Sequence, residues 1–506
     1  MVGNTTESIS AEPIRSMFTR WVITGEVILQ TAAHFGGNGE SSVDMMLLRD
    51  PQDGSPLLPG TSLAGALRSH LADVLGGYRS DEHRDVSKLF GMARKHNDDG
   101  NGSENDTGSQ SSLIVFDSRG TLPDGLDIEI RDGVAIDPAT GTAASNQKFD
   151  IEVLPAGTCF PVRFEFIIEE EDAEEILVAL VVKALEGFCE GGISLGMRRS
   201  RGFGNLISRD WRATRYDLTS SAGWMLWLTS DYENPTMEVS TAYDSPKQAV
   251  QMSFTALCFN KHYANDERQR IVVEVFLQIE GDLLIRSPGY DPTSPDVIHL
   301  HSAGKPVLPG TSLAGVMRKQ ALRIAHCIRE PKGDAVQWID RLFGPRIDRK
   351  AVNKNIKKRQ YSCQVGHAAS RLRVSEQFLS NTDARRQTRI AIDRFTGGVS
   401  SGSLFDEQVH AGGSITVRIE LYNPKKGETG LLLLLLKDLL TGEIPVGGST
   451  SVGRGMVNGT ATINLEDGRH YSIYSDLSVS DDGIEVFNAL ITDFLVERPI
   501  PEEGPA

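Results

Sequence analysis

Cysteine is scarce in this chain of 506 residues: Cys159, Cys189, Cys258, Cys327 and Cys363 are scattered, odd in number and form no CxxC pair. A disulfide framework or a zinc ribbon is thereby excluded, and a reducing compartment fits. Positive charge is in deficit, with 52 Lys and Arg against 68 Asp and Glu and a net charge of -16. That excludes a generally basic nucleic-acid coat. It does not exclude a basic groove on an acidic body, because a phosphate backbone responds to local potential. Long apolar runs are missing too. The stretch 431–436 is stopped by Lys437 and Asp438, too short to span a bilayer, and the opening MVGNTTESISAEP lacks the apolar core of a signal peptide. A cytoplasmic protein that contacts no membrane is the expectation.

What the chain does contain is itself, twice. LPGTSLAG occurs at 58–65 and again at 308–315, each followed by an arginine, Arg68 and Arg318. Further pairs keep the same order: Leu89-Phe90-Gly91 with Leu342-Phe343-Gly344, Ala135-Ile136-Asp137 with Ala391-Ile392-Asp393, and Phe149-Asp150 with Phe405-Asp406. Gly-rich stretches ending at Gly204 and Met456 close the series. Ordered matches at a nearly constant offset are the mark of tandem duplication.

In the first repeat, residues 21–30 read as a strand rich in Val, Ile and Leu. A helix follows, with Thr61 or Ser62 as its N-cap and Leu63, Leu67, Leu71 and Leu75 at helical spacing. Strands are expected at 113–116 and 159–168, a second helix at 172–188, acidic in its first turn, and a last strand at 203–207. The order β-α-β-β-α-β is the ferredoxin-like unit, and residues 271–279, 312–325 and 431–440 take the corresponding roles in the second repeat. The expected fold is α+β, with two tandem ferredoxin-like domains at 19–208 and 267–464 and a C-terminal extension at 465–506. The connection 209–266 contains Trp224, Trp227 and Tyr232 and should be packed in part, whereas 97–112 has no apolar residue and should be disordered.

The motifs leave two readings open. LPGTSLAG lacks the GK[ST] of a nucleotide-hydrolysing loop but opens a helix, whose free N–H groups can hold a phosphate. Ser62, Arg68, Ser312, Arg318 and Lys319 are then RNA contacts; otherwise the motif is only a turn and a cap. The loops GGISLGMRRSRGFG and GGSTSVGRG carry Arg198, Arg199, Arg201 and Arg454, cations on backbones that a ligand can approach closely. Basic residues crowd 345–373, among them Lys354, Lys357, Lys358 and Arg359, anomalous in an acidic protein and suited to an RNA backbone. Asp44 and Asp296 lie at similar distances before the two LPG motifs. His299 and His301 would share a strand face but lack a third metal ligand, and the first repeat has Leu47 and Arg49 there. His34 has no match in the second repeat.

Taken together, an Asp-containing loop, LPG-[ST]-S-x-x-G-x-x-R, LFG, AIDxxTG, a Phe-Asp before a strand and S-R-G-F-G resemble the RAMP superfamily. More narrowly they resemble the backbone subunits of type III CRISPR effector complexes, here doubled as in subtype III-D. The resemblance implies RNA-recognition-like domains that bind a guide RNA, pair it with a target RNA and assemble with other effector subunits in antiviral defence. It implies a β-hairpin thumb in each repeat, around 134–149 and 386–404. It places the family's catalytic acid on Asp44, where VDMMLLRD matches its IDxxxxRD, and on Asp296, although the later acid and Arg become His301-Ser302 in the second repeat. It also implies Mg²⁺ or another divalent cation, with Asp44 and Asp296 as possible ligands. The expected activity is endonucleolytic cleavage of target RNA. The alternatives are a non-catalytic scaffold of the same complex and a guide-processing endoribonuclease, which usually works through histidines that are not paired here.

Overall fold

The structure, a computed structural model, describes residues 17–37, 43–78, 80–81, 83–92, 108–137, 140–169, 173–230, 241–254, 265–289, 293–328, 332–345, 369–480 and 482–497. Tyr232 and most of the 97–112 stretch lie outside the described residues.

Each repeat is an antiparallel sheet under two helices. In the first, the strands stand in the order Leu113–Val115, Cys159–Ile168, Thr19–Leu29, Leu206–Asp217, which is the ferredoxin-like arrangement. Trp21, Ile23, Val27 and Leu29 of the central strand are buried among Phe160, Phe164 and Phe166 of its neighbour. The helices Gly60–Gly76 and Glu174–Cys189 close over that face, and Leu63, Leu67 and Leu71 at i, i+4 spacing enter the core. The second repeat has the same order, Leu372–Val374, Ser414–Tyr422, Arg270–Glu280, Met456–Asn464, plus a fifth strand His470–Ile473.

The poly-leucine helix Glu428–Leu440 is apolar on all sides because it is covered on both. The sheet lies beneath it, and the C-terminal helix Gly483–Val496 packs on its outer face, with Phe494 edge-on to Trp338. The strand His470–Ile473 and the helix Gly483–Val496 of the C-terminal extension thus complete the second core. The connection does the same for the first: Tyr243 bridges to Trp211, and Pro246–Ser253 packs on Glu174–Cys189.

Two local expectations are corrected. The last strand of the first repeat runs Leu206–Asp217 instead of 203–207, because a turn of 3₁₀ helix, Arg199–Arg201, and the left-handed Gly202 and Gly204 precede it. The LPGTSLAG helix begins at Gly60 with Pro59 as N-cap, not at Thr61 or Ser62. Pro59 has no side-chain acceptor, so the cap comes from a distance: Asp117 Oδ1 accepts the Gly60 N–H at 2.7 Å. Glycine is required at that position, since a Cβ would stand 2.3 Å from the Val115 carbonyl oxygen. The same holds for Gly310 against Val374.

The AIDxxTG stretches are hairpin turns. Glu129–Ile136 pairs with Ala143–Val153, and Asp383–Ile392 with Val399–Ala411, several residues longer than the expected thumbs. At the second tip Asp393 Oδ1 accepts N–H groups from Phe395 and Thr396, while Gly397 supplies the left-handed residue that turns the chain back.

The two repeats pack head to tail. Arg131 of the first hairpin forms a bidentate ion pair with Glu376 at 2.7 and 3.1 Å, both side chains buried. Glu129 accepts the Ala303 N–H at 2.6 Å, and Tyr78 stacks on Tyr422 with ring centroids 4.6 Å apart. The first repeat's Gly-rich loop sits against the start of the helix Gly310–Ile328.

Candidate functional site

Asp44 and Asp296 occupy the same place in their repeats. Asp44 is exposed and its Oδ2 accepts the backbone N–H of Asp150 at 3.0 Å; Asp296 is exposed and its Oδ2 accepts the N–H of Asp406 at 3.1 Å. Each stands one residue before a segment that runs parallel to the returning hairpin strand, Met45 beside Ile151 and Val297 beside Glu407. The Phe-Asp landmark of each repeat is therefore the seat of the acid, fixed through a main-chain N–H at the foot of a hairpin.

The surroundings of the two acids differ. Lys148 Nζ lies 3.0 Å from Asp132 and 3.9 Å from Asp150. A hydrogen bond donated to Asp132, some burial and the negative charges of Asp132 and Asp44 push the Asp150 carboxyl above its ordinary range, against Lys148. In the second repeat Arg386 and Thr388 donate to Asp406 at 2.6 and 3.0 Å and hold its carboxyl below that range.

The arginine and acid that follow Asp44 are braces. Arg49 pairs with Glu152 at 3.1 Å, and Asp50 with Arg119 at 2.8 Å. At the matching positions the second repeat has His301 and Ser302, and Gln408 and Phe378 stand where the first repeat has Glu152 and Arg119, in register with Ile298 and Val307. Its departure from the pattern removes two ion pairs and leaves the acid and its N–H anchor in place.

Two adjoining clefts meet at His34 and Met197. One, of about 520 Å³, is lined by Asp44, Val43 and Met46; the other, of about 470 Å³, by Ser62, Ser69 and Arg199. His34 Nδ1 lies 2.7 Å from the Glu152 carbonyl oxygen, which can only accept, so Nδ1 donates there. Sequence comparison of the repeats passed over His34 because its counterpart is Leu284. The equivalence is fixed by the loops: a Cβ on Gly196 would stand 2.5 Å from the His34 carbonyl oxygen, and one on Gly447 2.5 Å from that of Leu284. Those recurring glycines are thus explained by close backbone packing.

Ser62 and Arg199 line the second of these clefts, and Arg198, next in the chain, holds its guanidinium 4.6 Å over the Phe149 ring. Arg68 lies nearly two turns beyond Ser62 along the same helix, and Lys319 is exposed on the corresponding helix of the second repeat. The other arginines are employed inside the protein. Arg201 donates to the Phe343 carbonyl oxygen at 3.2 Å across the junction of the repeats, where Ser312 also lies. Arg318 donates to Gly344 and Asp340, each at 2.6 Å. Arg454 is buried and bound to Glu407 and Gln387, each at 2.7 Å, so it faces no solvent. Lys354, Lys357, Lys358 and Arg359 lie outside the described residues.

Among the described residues no three His, Cys, Asp or Glu side chains present donors to one metal ion. The acids make no resident Mg²⁺ cage. One carboxylate per repeat suits Mg²⁺ only as an ion shared with RNA phosphates, the usual way that ion is held. No helix among the described residues is long and apolar enough to cross a membrane.

The chain is similar to the CRISPR system Cms endoribonuclease Csm3 of Enterococcus italicus, 32% identical over 88 residues, 16% of this chain and 41% of that protein. It is similar also to the protein of that name from Streptococcus thermophilus, 29% identical over 85 residues, 15% of this chain and 39% of the relative. The matched stretch spans about two fifths of the length of these curated relatives. The RAMP superfamily model matches twice, over residues 26–207 and 277–458, in register with the duplicated folds and their paired acids. The chain belongs to the RAMP superfamily, as two members in tandem.

Proposed function

We propose that the chain is a double backbone subunit of a type III CRISPR effector complex, which binds a guide RNA, pairs it with a target RNA and cuts the target at Asp44 and Asp296. The observation that carries this reading is the repeated seat of the two acids, each exposed and held by the N–H of a Phe-Asp at the foot of a hairpin. The relatives are endoribonucleases of CRISPR systems by name.

RNA supplies its own nucleophile. The 2′-oxygen attacks phosphorus, the bond to the 5′-oxygen breaks, and a 2′,3′-cyclic phosphate and a 5′-hydroxyl result. The protein must hold a splayed nucleotide in line and receive the 2′-proton or its hydrogen bond on a carboxylate. With Oδ2 anchored on a backbone N–H, the other oxygen of each Asp is the one that meets the nucleotide. Mg²⁺, implied by the family resemblance, would be shared between this carboxylate and RNA phosphates and supply counter-charge. The guide backbone would follow Ser62, Arg198 and Arg199 and the basic stretch around Lys354–Arg359, and other effector subunits would meet the outer faces of the two repeats.

The complex assembled with guide and partner subunits should give two cuts in a target RNA. Asp44→Ala is expected to delete one and Asp296→Ala the other, with guide retention unchanged; EDTA tests the Mg²⁺ requirement. Identical products from wild type and both variants would overturn the cutting assignment and leave a non-catalytic scaffold. Protein purified from its native cells without short RNAs sharing a constant end would overturn guide binding.

A further inference from the structure

Two guanidiniums have changed places between the repeats. In the first, Arg198 and Arg199 project from the Gly-rich loop, and two nearby strand positions are glycines. Gly36 pairs with Leu47, and Gly133 lies under Phe149, where a Cβ would stand 2.0 Å from the ring. In the second repeat all four positions are exchanged. Ser449 and Thr450 stand in place of the arginines, and Ser449 has the left-handed backbone of Arg198, φ 60° against 58°. Arg286 pairs with His299 as Gly36 does with Leu47, and Arg389 with Phe405 as Gly133 does with Phe149. Divergence after duplication has therefore moved the two cations from loop to strands without changing their number.

Arg286 reaches the place that the loop has vacated. Its side chain runs along that loop, where a Cβ on Gly448 would stand 3.0 Å from its Nε, and its Nη2 donates to Ser449 Oγ at 3.0 Å. The guanidinium is thereby held at the position from which Arg198 starts in the first repeat. Solvent still reaches 58% of the Arg286 side chain and 37% of that of Arg389. Neither is consumed by an acid. Glu407, the residue after the N–H that seats Asp296, is buried, and Arg454 takes it at 2.7 Å. Arg286 and Arg389 lie 3.7 and 3.8 Å from the same carboxylate, beyond hydrogen-bond distance. One carboxylate thus faces three guanidiniums. Two positive charges are left in surplus, on strands paired with the one that follows Asp296 and with the one that seats it. Loose, partly solvated pairs of this kind contribute little to stability, so folding does not account for both arginines. A phosphodiester does, since its oxygens accept the forked hydrogen bonds of a planar guanidinium.

We propose that Arg286 and Arg389 hold phosphates of the guide RNA at the second site, in the role that Arg198 and Arg199 have at the first, a role that presupposes guide binding by this chain. Binding of the full-length chain to a single-stranded RNA of guide length, titrated against salt, tests it. Each phosphate contact to a single strand adds about 0.7 to the slope of log affinity on log salt, so Arg286→Gly with Arg389→Gly should flatten that slope by about 1.4. Adding Ser449→Arg and Thr450→Arg to that variant rebuilds the first repeat's arrangement and should restore the slope. Should glycine prevent folding, Arg286→Gln with Arg389→Gln reads the same loss. A slope that the folded neutral variants leave unchanged would overturn the proposal, and so would a loss that the two added arginines fail to restore. A loss seen only after a complementary strand is annealed to the guide would move the contact to the target and overturn the guide assignment. A wild-type chain that binds no RNA would overturn guide binding itself, an outcome distinct from the other three.

Discussion

At the scale of single residues, the acids were legible and their seats were not. Asp44 and Asp296 stood out because duplication repeats them before the same motif. That Asp150 and Asp406 hold them is a main-chain contact, and no side-chain pattern encodes it. Arg454 shows the reverse error: in sequence it is a cation in a Gly-rich loop, in the fold a buried partner of Glu407. Asp73 carries a prediction of its own. Burial raises its carboxyl from 3.8 to about 6 against the charges of Arg373, Arg268 and Arg199. A carboxyl raised in the folded state stabilises below its unfolded value, and that contribution is lost as pH climbs through about 6. Asp73→Asn should therefore match wild type at pH 4 and exceed it above pH 6 by roughly 1 kcal/mol, after allowing for solvent screening. Urea unfolding across this pH range measures the difference, and a constant offset would refute it.

At the scale of elements, helix periodicity and strand composition located the sheets and their covering helices, because those signals are local. The cap of the LPGTSLAG helix was misplaced, since its acceptor is Asp117 at the end of a strand far along the chain. Asp117→Ala should cost about 1 kcal/mol of stability by urea unfolding, the usual cost of a lost N-cap. The matching acid of the second repeat, Glu376, is drawn instead to Arg131. The hairpins were expected from the family resemblance alone; the structure adds the reason for the second turn, Asp393 Oδ1 accepting the Phe395 N–H beside left-handed Gly397.

At the scale of the whole molecule, the junction between the repeats rests on a buried ion pair. Removing one partner strands the other charge in a dry interface, so Arg131→Ala or Glu376→Ala should each cost about 3–5 kcal/mol. Replacing both with methionine should cost far less. Calorimetry should show the single variants separating into two transitions, one per repeat, while the double methionine variant keeps the wild-type profile; equal effects of single and double replacement would refute the pairing.

Tandem duplication, the ferredoxin-like order of each half and the repeated position of the two acids follow from the sequence alone, since repeats and periodicity are written in neighbouring residues; the hairpins were implied by the family resemblance. Tertiary structure decided which arginines face outward, what seats Asp44 and Asp296, and how the first hairpin locks onto the second repeat. Each of these is a contact between segments distant in the chain. Such contacts exist only once the sheets have brought their ends together.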